Sequence, residues 1–263
     1  MHFWKAHAYG NDFLYATSAD VAGQDPADLA RRMCARTTGI GADGLILFEA
    51  RPDGARMRLH NADGSIAEVS GNGVRGLAAL LAHRQSGVPG SVYEIDTDAG
   101  SKRLELVSYD EQGRPVFLAA MGRPEQITQQ VVEVEGESLP LVTLWMGNPQ
   151  AVWLVDELDP QQMRRVGAAL QQHAAFPDAV NLELARVVSA DEVEILIYER
   201  GVGPTQSSGT GSCAAAVAAA AYGQANRRVD VVAPGGRQRV EWREDGVYLT
   251  GWAELLCDGA WLA

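Results

Sequence analysis

A short signature occurs twice in this chain, and it constrains the fold more than any other feature. Residues 70–73 read Ser-Gly-Asn-Gly and residues 208–211 read Ser-Gly-Thr-Gly, and each is followed by a run of small and apolar residues. Serine is a preferred residue at a helix start, where backbone N–H groups and the positive end of the helix dipole attract anions. We therefore expect two helices whose starts bind one anionic ligand in a cleft between the two halves of the chain.

The elements predicted before each signature follow the same order of helix, strand and strand. In both halves the helix begins with Asp-Pro, so Asp25 is the expected N-cap of the first helix. A repeat of this length is too long for a solenoid and suits two pseudo-symmetric domains. The predicted segments are 26–36, 44–49 and 55–60 in the first half, and 160–175, 180–187 and 192–199 in the second.

The helix after each signature is apolar on all sides, which is typical of a buried helix. Alternating or continuous apolar stretches separated by turn signals fill the rest of the chain. The fold class is therefore α/β (α+β), with two pseudo-symmetric domains that each curl a mainly antiparallel sheet around a central apolar helix. The expected domains are residues 1–114 and 115–251, with the tail 252–263 packing on the first. The other predicted strands lie at 92–97, 103–109, 115–121, 131–145 and 151–156, with turns at 110–113, 234–236 and 244–246.

Charge and cysteine content exclude several classes of function. The net charge of −12 over 263 residues argues against nucleic acid or an anionic membrane as a partner. Neither a signal-peptide pattern nor an apolar stretch long enough to span a membrane occurs, so we expect a cytoplasmic protein. Cys34, Cys213 and Cys257 are too widely spaced for a zinc site or a disulfide framework, and Cys213 is expected to be buried inside its helix. The histidines lack metal-ligand spacing, so no metal is expected.

The complete pattern resembles the diaminopimelate epimerase family, whose members epimerise an amino acid without a cofactor. The resemblance covers essentially the whole length, and its blocks are specific in combination because they occur in one order and spacing. That family folds as two similar α/β halves with the site in the cleft. The matching blocks are residues 5–13, 39–44, 61–65, 71–75, 97–100, 146–149, 199–203 and 209–211.

The resemblance implies a role for each matching residue and a place in lysine biosynthesis. Backbone amides at both helix starts would bind the α-carboxylate of the reacting carbon, here at Gly71, Asn72, Gly209 and Thr210. Polar side chains would hold the ammonium and carboxylate at the far end of the substrate; an arginine grips a carboxylate bidentately, and a glutamate accepts from an ammonium. These distal residues are Asn11, Asn61, Asn148, Asn181, Glu199 and Arg200.

Three positions depart from the family pattern. The family carries a cysteine before each Gly-x-Gly, and one thiolate removes the α-proton while the other thiol delivers a proton to the opposite face. Ser70 and Ser208 stand at these positions, and Gln150 replaces a histidine that assists proton transfer. A cysteine pKa near 8.5 falls at a helix start, whereas a serine hydroxyl is far less acidic. Substitutions made to trap a substrate would explain the serines but not Gln150, which favours natural divergence.

Three functions therefore stay open at this point. The first is an epimerase acting on a diaminopimelate-like amino acid, with Ser70 and Ser208 as the catalytic residues, acting directly or through water. The second is an isomerase or lyase of the same fold that acts on another carboxylate with a more acidic carbon or a leaving group. The third is a binding protein in which the serines only cap helices. A homodimer is one candidate for the oligomeric state.

Overall fold

The computed structural model describes residues 1–262, which form four helices and eighteen strands. The first half of the chain contains one short amphipathic helix and one longer buried helix among eight strands. The elements are β1 (His2–Ala8), β2 (Asn11–Thr17), α1 (Pro26–Cys34), β3 (Gly44–Arg51), β4 (Gly54–Asn61), β5 (Ile66–Ala67), α2 (Gly71–Gln85), β6 (Val92–Thr97), β7 (Gly100–Tyr109) and β8 (Pro115–Gly122).

The second half repeats this order of elements with one further strand before α3 and one further strand after α4. The elements are β9 (Glu125–Val134), β10 (Glu137–Trp145), β11 (Pro149–Leu154), α3 (Pro160–Leu170), β12 (Asn181–Ser189), β13 (Glu192–Glu199), β14 (Gly203–Thr205), α4 (Gly209–Tyr222), β15 (Arg228–Ala233), β16 (Gly236–Trp242), β17 (Val247–Trp252) and β18 (Glu254–Ala260).

Two compact units divide the chain. One contains Met1–Ala119 and the segment from Gly251 onward, and the other contains Ala120–Thr250. The sequence predicts domain boundaries at residues 114 and 251. A domain is a part of the chain that folds independently, so these boundaries stay a prediction.

Strand pairing within the two units follows the same plan. In the first unit the order is β18-β1-β2-β3-β4-β6-β7, with β2–β3 and β4–β6 parallel and the other pairs antiparallel. In the second unit the order is β9-β10-β11-β12-β13-β15-β16, with β11–β12 and β13–β15 parallel. The predicted pseudo-symmetric, mainly antiparallel α/β fold is confirmed.

Each unit wraps its sheet around the helix that follows the signature. Leu77, Leu80 and the alanines of α2 are buried against β1, β2, β6 and β7. The alanines of α4 up to Ala219 are buried against β11 to β13 and β15 to β16. Small side chains let the strands approach these helices closely. Gly76 shows how close, because a Cβ at this residue would lie 2.1 Å from Tyr15 Oη.

The amphipathic helices α1 and α3 cover the outer faces of the sheets. Asp25 and Asp159 cap them by accepting from the backbone N–H groups of Ala27 and Gln161, as the Asp-Pro pairs predict. Their buried faces pack into two smaller apolar clusters, one around Met33 and one around Val166.

The structure changes the predicted end of α3 and adds two turns. α3 ends at Leu170 rather than near residue 175, because the Gln171 side chain donates to Gly167 O and Val180 O and turns the chain. The stretch 131–145 is a hairpin and not one strand, since Glu135 and Gly136 turn with positive φ. At the end of α2, Ser86 adopts the left-handed conformation.

Residues 1–262 contain neither a helix that could span a membrane nor a cluster of metal-binding side chains. No helix within residues 1–262 combines the length and apolar character needed to cross a membrane. In the same described part of the chain, no three His, Cys, Asp or Glu side chains come together in a way that could hold a metal ion. Cys213 is fully buried inside α4, as expected.

Candidate active site

The first helix start is built by Ser70, the N-cap of α2. Its backbone is extended (φ −129°, ψ 123°), and its hydroxyl accepts from the Gly73 N–H at 3.2 Å. Gly71 lies at the exposed end, where a Cβ would meet nothing within 4 Å. Gly73 lies inside, where a Cβ would come within 2.8 Å of Ile46 Cδ1. The first turn is therefore open to a ligand on one side and packed on the other.

A polar cluster fixes the side chains beside this start. Asn11 donates through Nδ2 to Asp43 at 2.6 Å and accepts through Oδ1 from Asn72 Nδ2 at 3.3 Å. Asn61, at the end of β4, donates to Ser65 Oγ at 3.0 Å. The structure thus joins Asn11 to Asn72, whereas the Asn61 side chain bonds within its own turn.

Charged groups behind Asn11 hold the cluster in place. Asp12 is nearly buried and lies 3.0 Å from Lys5 and 2.9 Å from Arg36, which also lies 2.7 Å from Asp43. Burial alone would raise the pKa of Asp12, but hydrogen bonds from Arg36 and Lys5 hold that pKa below its usual value. Asp12 therefore stays ionised and anchors the strand that presents Asn11.

A buried arginine lies within the first turns of α2. Arg75 is 1% exposed, donates through Nη1 to Asn72 Oδ1 at 3.2 Å and stacks over the Tyr9 ring. Burial of Tyr9 raises the pKa of its hydroxyl, which accepts from the Trp252 N–H at 3.1 Å. The first helix start is thus supported by a cation.

The second helix start repeats the backbone of the first. Ser208 is extended (φ −141°, ψ 128°), 8% exposed, and accepts from the Gly211 N–H at 3.2 Å. The hydroxyl oxygen of Thr210, Oγ1, lies 3.5 Å from Ser208 Oγ. A Cβ at Gly211 would lie 2.5 Å from Glu183 Oε1, so the last glycine of this signature makes room for a buried carboxyl group.

Carboxamides surround that carboxyl group. Gln150 is 1% exposed, and its carboxamide lies 3.1 and 3.2 Å from the two oxygens of Glu183, and 3.2 Å from both Asn181 Nδ2 and Thr210 Oγ1. Asn148 approaches the same carboxamide at 2.6 Å.

Glu183 is a buried acid without a paired cation in these contacts. It lies on β12 and is fully buried, and this burial, together with the charge of Glu199, raises its pKa well above the usual value. The raised pKa favours the protonated form of this carboxyl group, which holds both a donor and an acceptor.

A hydrogen bond between Arg200 and Asn181 connects the end of β13 to the Gln150 carboxamide. The Arg200 backbone N–H donates to Asn181 Oδ1 at 2.8 Å, and the exposed Arg200 guanidinium donates to Asp178 O at 3.1 Å. Glu199, at the end of β13, is half-buried.

The predicted site residues fall into two groups, one in each unit. Arg75, Asp43 and Glu183 complete these groups but were not assigned from the sequence. An arginine or glutamate in an apolar stretch was the available signal, because such a residue is seldom buried without a partner. The first group is Asn11, Asn61, Ser70, Gly71 and Asn72, and the second is Asn148, Asn181, Glu199, Arg200, Ser208, Gly209 and Thr210.

Comparison with known proteins identifies the family. The family model described as Diaminopimelate epimerase matches residues 3–127 and 142–256. A diaminopimelate epimerase of Desulforudis audaxviator is 39% identical, with 100% of this chain and 99% of the relative covered. One of Xylella fastidiosa is 38% identical, with 99% and 96% covered.

Solved structures share the fold at much lower identity. A Bacillus anthracis phenazine biosynthesis protein of the PhzF family superposes with a TM-score of 0.76 at 15% identity, covering 100% of this chain and 99% of the other. A predicted epimerase from Pseudomonas aeruginosa gives 0.75 at 17% identity, covering 100% and 99%. The sequence matches go further than the fold: this protein is an isomerase and belongs to the diaminopimelate epimerase family.

Proposed function

We propose that this protein interconverts LL- and meso-diaminopimelate by moving a proton at the α-carbon without pyridoxal phosphate. The observation that carries the proposal is the pair of buried helices that each begin at a serine-capped Gly-x-Gly turn. A helix start offers backbone N–H groups and a positive dipole end to a carboxylate. The proposed ligand group is the α-carboxylate, held by the amides of Gly71, Asn72, Gly209 and Thr210.

The distal end of the substrate is the second part of the proposal. An ammonium and a carboxylate need fixed acceptors and donors, which the asparagine side chains, Glu199 and the exposed guanidinium of Arg200 provide. Asp43 supports this arrangement by orienting Asn11. The proposed distal ligands are Asn11, Asn61, Asn148, Asn181, Glu199 and Arg200.

Ser70 and Ser208 are the proposed catalytic residues. The α C–H bond breaks on one face and its electron pair stays on carbon. The proton passes to the oxygen of a serine that has first released its own hydroxyl proton to water, or to a hydroxide that this serine holds. The carbanion then takes a proton on the opposite face from the other serine or its water. Both hydroxyls already accept one helix N–H, which disfavours protonation of the oxygen and favours proton release.

Deuterium exchange tests this function. Incubation with LL-diaminopimelate in deuterated water is expected to place deuterium at the α-carbon and to produce the meso isomer. Ser70→Cys combined with Ser208→Cys should raise the rate by at least about 100-fold, because thiolates at helix starts are far stronger bases at neutral pH. An inert parent, with neither deuterium uptake nor meso product, would refute the proposal. An active double variant beside an inert parent would show that substrate binding is intact without natural turnover.

A second candidate function follows from the three departures from the family pattern. With Ser70, Ser208 and Gln150, the site lacks the thiols and the imidazole that the resemblance implies. An isomerase or lyase acting on a more acidic carbon needs only a hydrogen-bond donor on one face. Turnover of β-hydroxy or unsaturated dicarboxylic acids, together with no exchange on diaminopimelate, would favour this candidate.

The remaining expectations join the proposal. We infer a cytoplasmic enzyme with a small carboxylate ligand, no nucleic-acid partner and no cofactor, and a homodimer is the candidate assembly. The net charge of −12 supports the exclusion of nucleic acid. Sedimentation velocity with and without diaminopimelate measures the assembly, and a single species at monomer mass would exclude the dimer.

A further inference from the structure

The side chains behind Ser208 form a hydrogen-bonded series whose direction is set by the backbone. The Arg200 N–H, which can only donate, bonds Asn181 Oδ1 at 2.8 Å. Asn181 must therefore present its nitrogen on its other side. There, Nδ2 lies 3.2 Å from Pro149 O and 3.2 Å from the Gln150 carboxamide.

The orientation of Gln150 follows from that of Asn181. Its oxygen faces the Asn181 nitrogen and Thr210 Oγ1, both at 3.2 Å, and its nitrogen faces the Glu183 oxygens at 3.1 and 3.2 Å. The same oxygen lies 2.6 Å from the Asn148 carboxamide, which must present its nitrogen there, since two amide oxygens cannot bond each other. The buried Glu183 carboxyl group provides the acceptor for this nitrogen. Gln150 is thus held at both ends of its amide.

The orientation of the Gln150 carboxamide then sets the hydrogen-bond direction at Thr210 and Ser208. Since the Gln150 oxygen accepts, the Thr210 hydroxyl donates to it and keeps a lone pair for Ser208, whose Oγ lies 3.5 Å away. This contact is long, as hydrogen bonds of unliganded sites often are. Ser208 Oγ also accepts from the Gly211 N–H, so its second lone pair remains for a ligand.

We propose that Gln150, clamped between Asn181 and Glu183, is a positioning residue that makes Ser208 a donor to Thr210 and turns a Ser208 lone pair toward the ligand. Ser208 Oγ then meets the substrate as a hydrogen-bond acceptor, with its own O–H directed at Thr210. This consequence for catalysis rests on the proposed function, whereas the hydrogen-bond direction itself does not.

A thiol introduced at position 208 reports this direction without any turnover. In Ser208→Cys, the rate of iodoacetamide alkylation against pH gives the thiol pKa, and peptide mass mapping separates this site from the exposed Cys257. Sulfur suits the long contact to Thr210. Adding Gln150→Met removes the acceptor for the Thr210 hydroxyl, which can then donate to the thiolate.

The expected result is a fall of the position-208 thiol pKa by about one pH unit when Gln150→Met is added. In a Thr210→Val background the same change should have no effect, because the hydroxyl that carries it is gone. Leu184→Met is the matched control, because Leu184 is buried on β12 in the apolar cluster around Val166 of α3, and it should leave the pKa unchanged.

Three outcomes would overturn the proposal. They are an unchanged thiol pKa in Gln150→Met, a rise of that pKa, or the same fall in the Thr210→Val background. Because alkylation needs no substrate, a protein that fails to epimerise diaminopimelate can still pass or fail this test. Failure of the positioning role and failure of the proposed function are therefore distinguishable.

Discussion

The two helix starts share a backbone but differ in the charge buried behind them. Ser70 and Ser208 have nearly the same φ and ψ, and each accepts from the backbone N–H of the residue three positions later. Behind the first lies the guanidinium of Arg75, and behind the second lies the carboxyl group of Glu183. The two units therefore share the backbone geometry of the helix start, while the ionisable groups buried behind it differ.

Removing each buried ionisable side chain should give the largest contrast between the two units in unfolding free energy. Arg75→Met leaves Asn72 Oδ1 without this donor and empties the stack over Tyr9, so we expect a loss of about 3 kcal/mol in unfolding free energy. Glu183→Met removes an acid whose burial is itself unfavourable and should cost about 1 kcal/mol. Urea unfolding at pH 7 measures both; equal losses would mean that the two supports are energetically alike.

The acid in the second unit should also make stability depend on pH. Because the folded pKa of Glu183 lies above its unfolded value, the folded state holds the proton more tightly, and stability falls as pH rises above about 4.5 toward the folded pKa. Glu183→Gln removes this term, with a slope of at most about 1.4 kcal/mol per pH unit. The variant should therefore gain relative to the parent from pH 5 to pH 8.

That comparison has a clear control and a clear contradiction. Glu194→Gln changes a carboxylate on β13 that pairs with Arg186 on the protein surface, so it should show no such gain. A constant difference between parent and Glu183→Gln across this pH range would mean that Glu183 titrates normally in the folded state.

Thiols introduced at the two starts should titrate differently. The Ser70→Cys thiol is expected to have a pKa about one pH unit below that of Ser208→Cys, since a cation lies near the first and a neutral acid near the second. Iodoacetamide kinetics against pH measure both. The reverse order would show that the buried groups are screened from the helix starts.

The smallest contrast concerns capping. Ser70→Ala and Ser208→Ala each remove one N-cap hydrogen bond and should each cost about 1 kcal/mol, with no resolvable difference between them. Ser→Gly at the same positions should cost only a few tenths of a kcal/mol. Thermal unfolding of the four variants checks this. A large inequality between the alanine variants would show that one serine has a structural role beyond capping.

Local signals in the sequence accounted for much of the fold. The Ser-Gly-x-Gly turns, the Asp-Pro starts at residues 25 and 159 and the all-apolar α4 act over a few residues, so the order of elements and the central helices were predictable. The end of α3 was not, because Gln171 bonds Val180, which follows a turn.

The site was predictable only in part, for a related reason. Residue types and the family resemblance indicated the serines, the amides and the asparagines. The apolar stretches around Arg75 and Glu183 are a local signal, but the burial of these residues depends on strands that are distant in sequence. The direction of the bonds at Gln150 depends on the Arg200 amide, which only tertiary structure brings to Asn181.

Capping and proposed catalysis fall on the same oxygen atoms in this protein. An alcohol is among the strongest helix N-caps, and a thiol is not among the preferred ones. A serine at each position therefore holds the helix end more firmly than a cysteine would, and it is the weaker base. Heat tolerance and the proposed turnover would then oppose each other at residues 70 and 208, and Ser70→Cys with Ser208→Cys should yield a faster but less heat-stable enzyme.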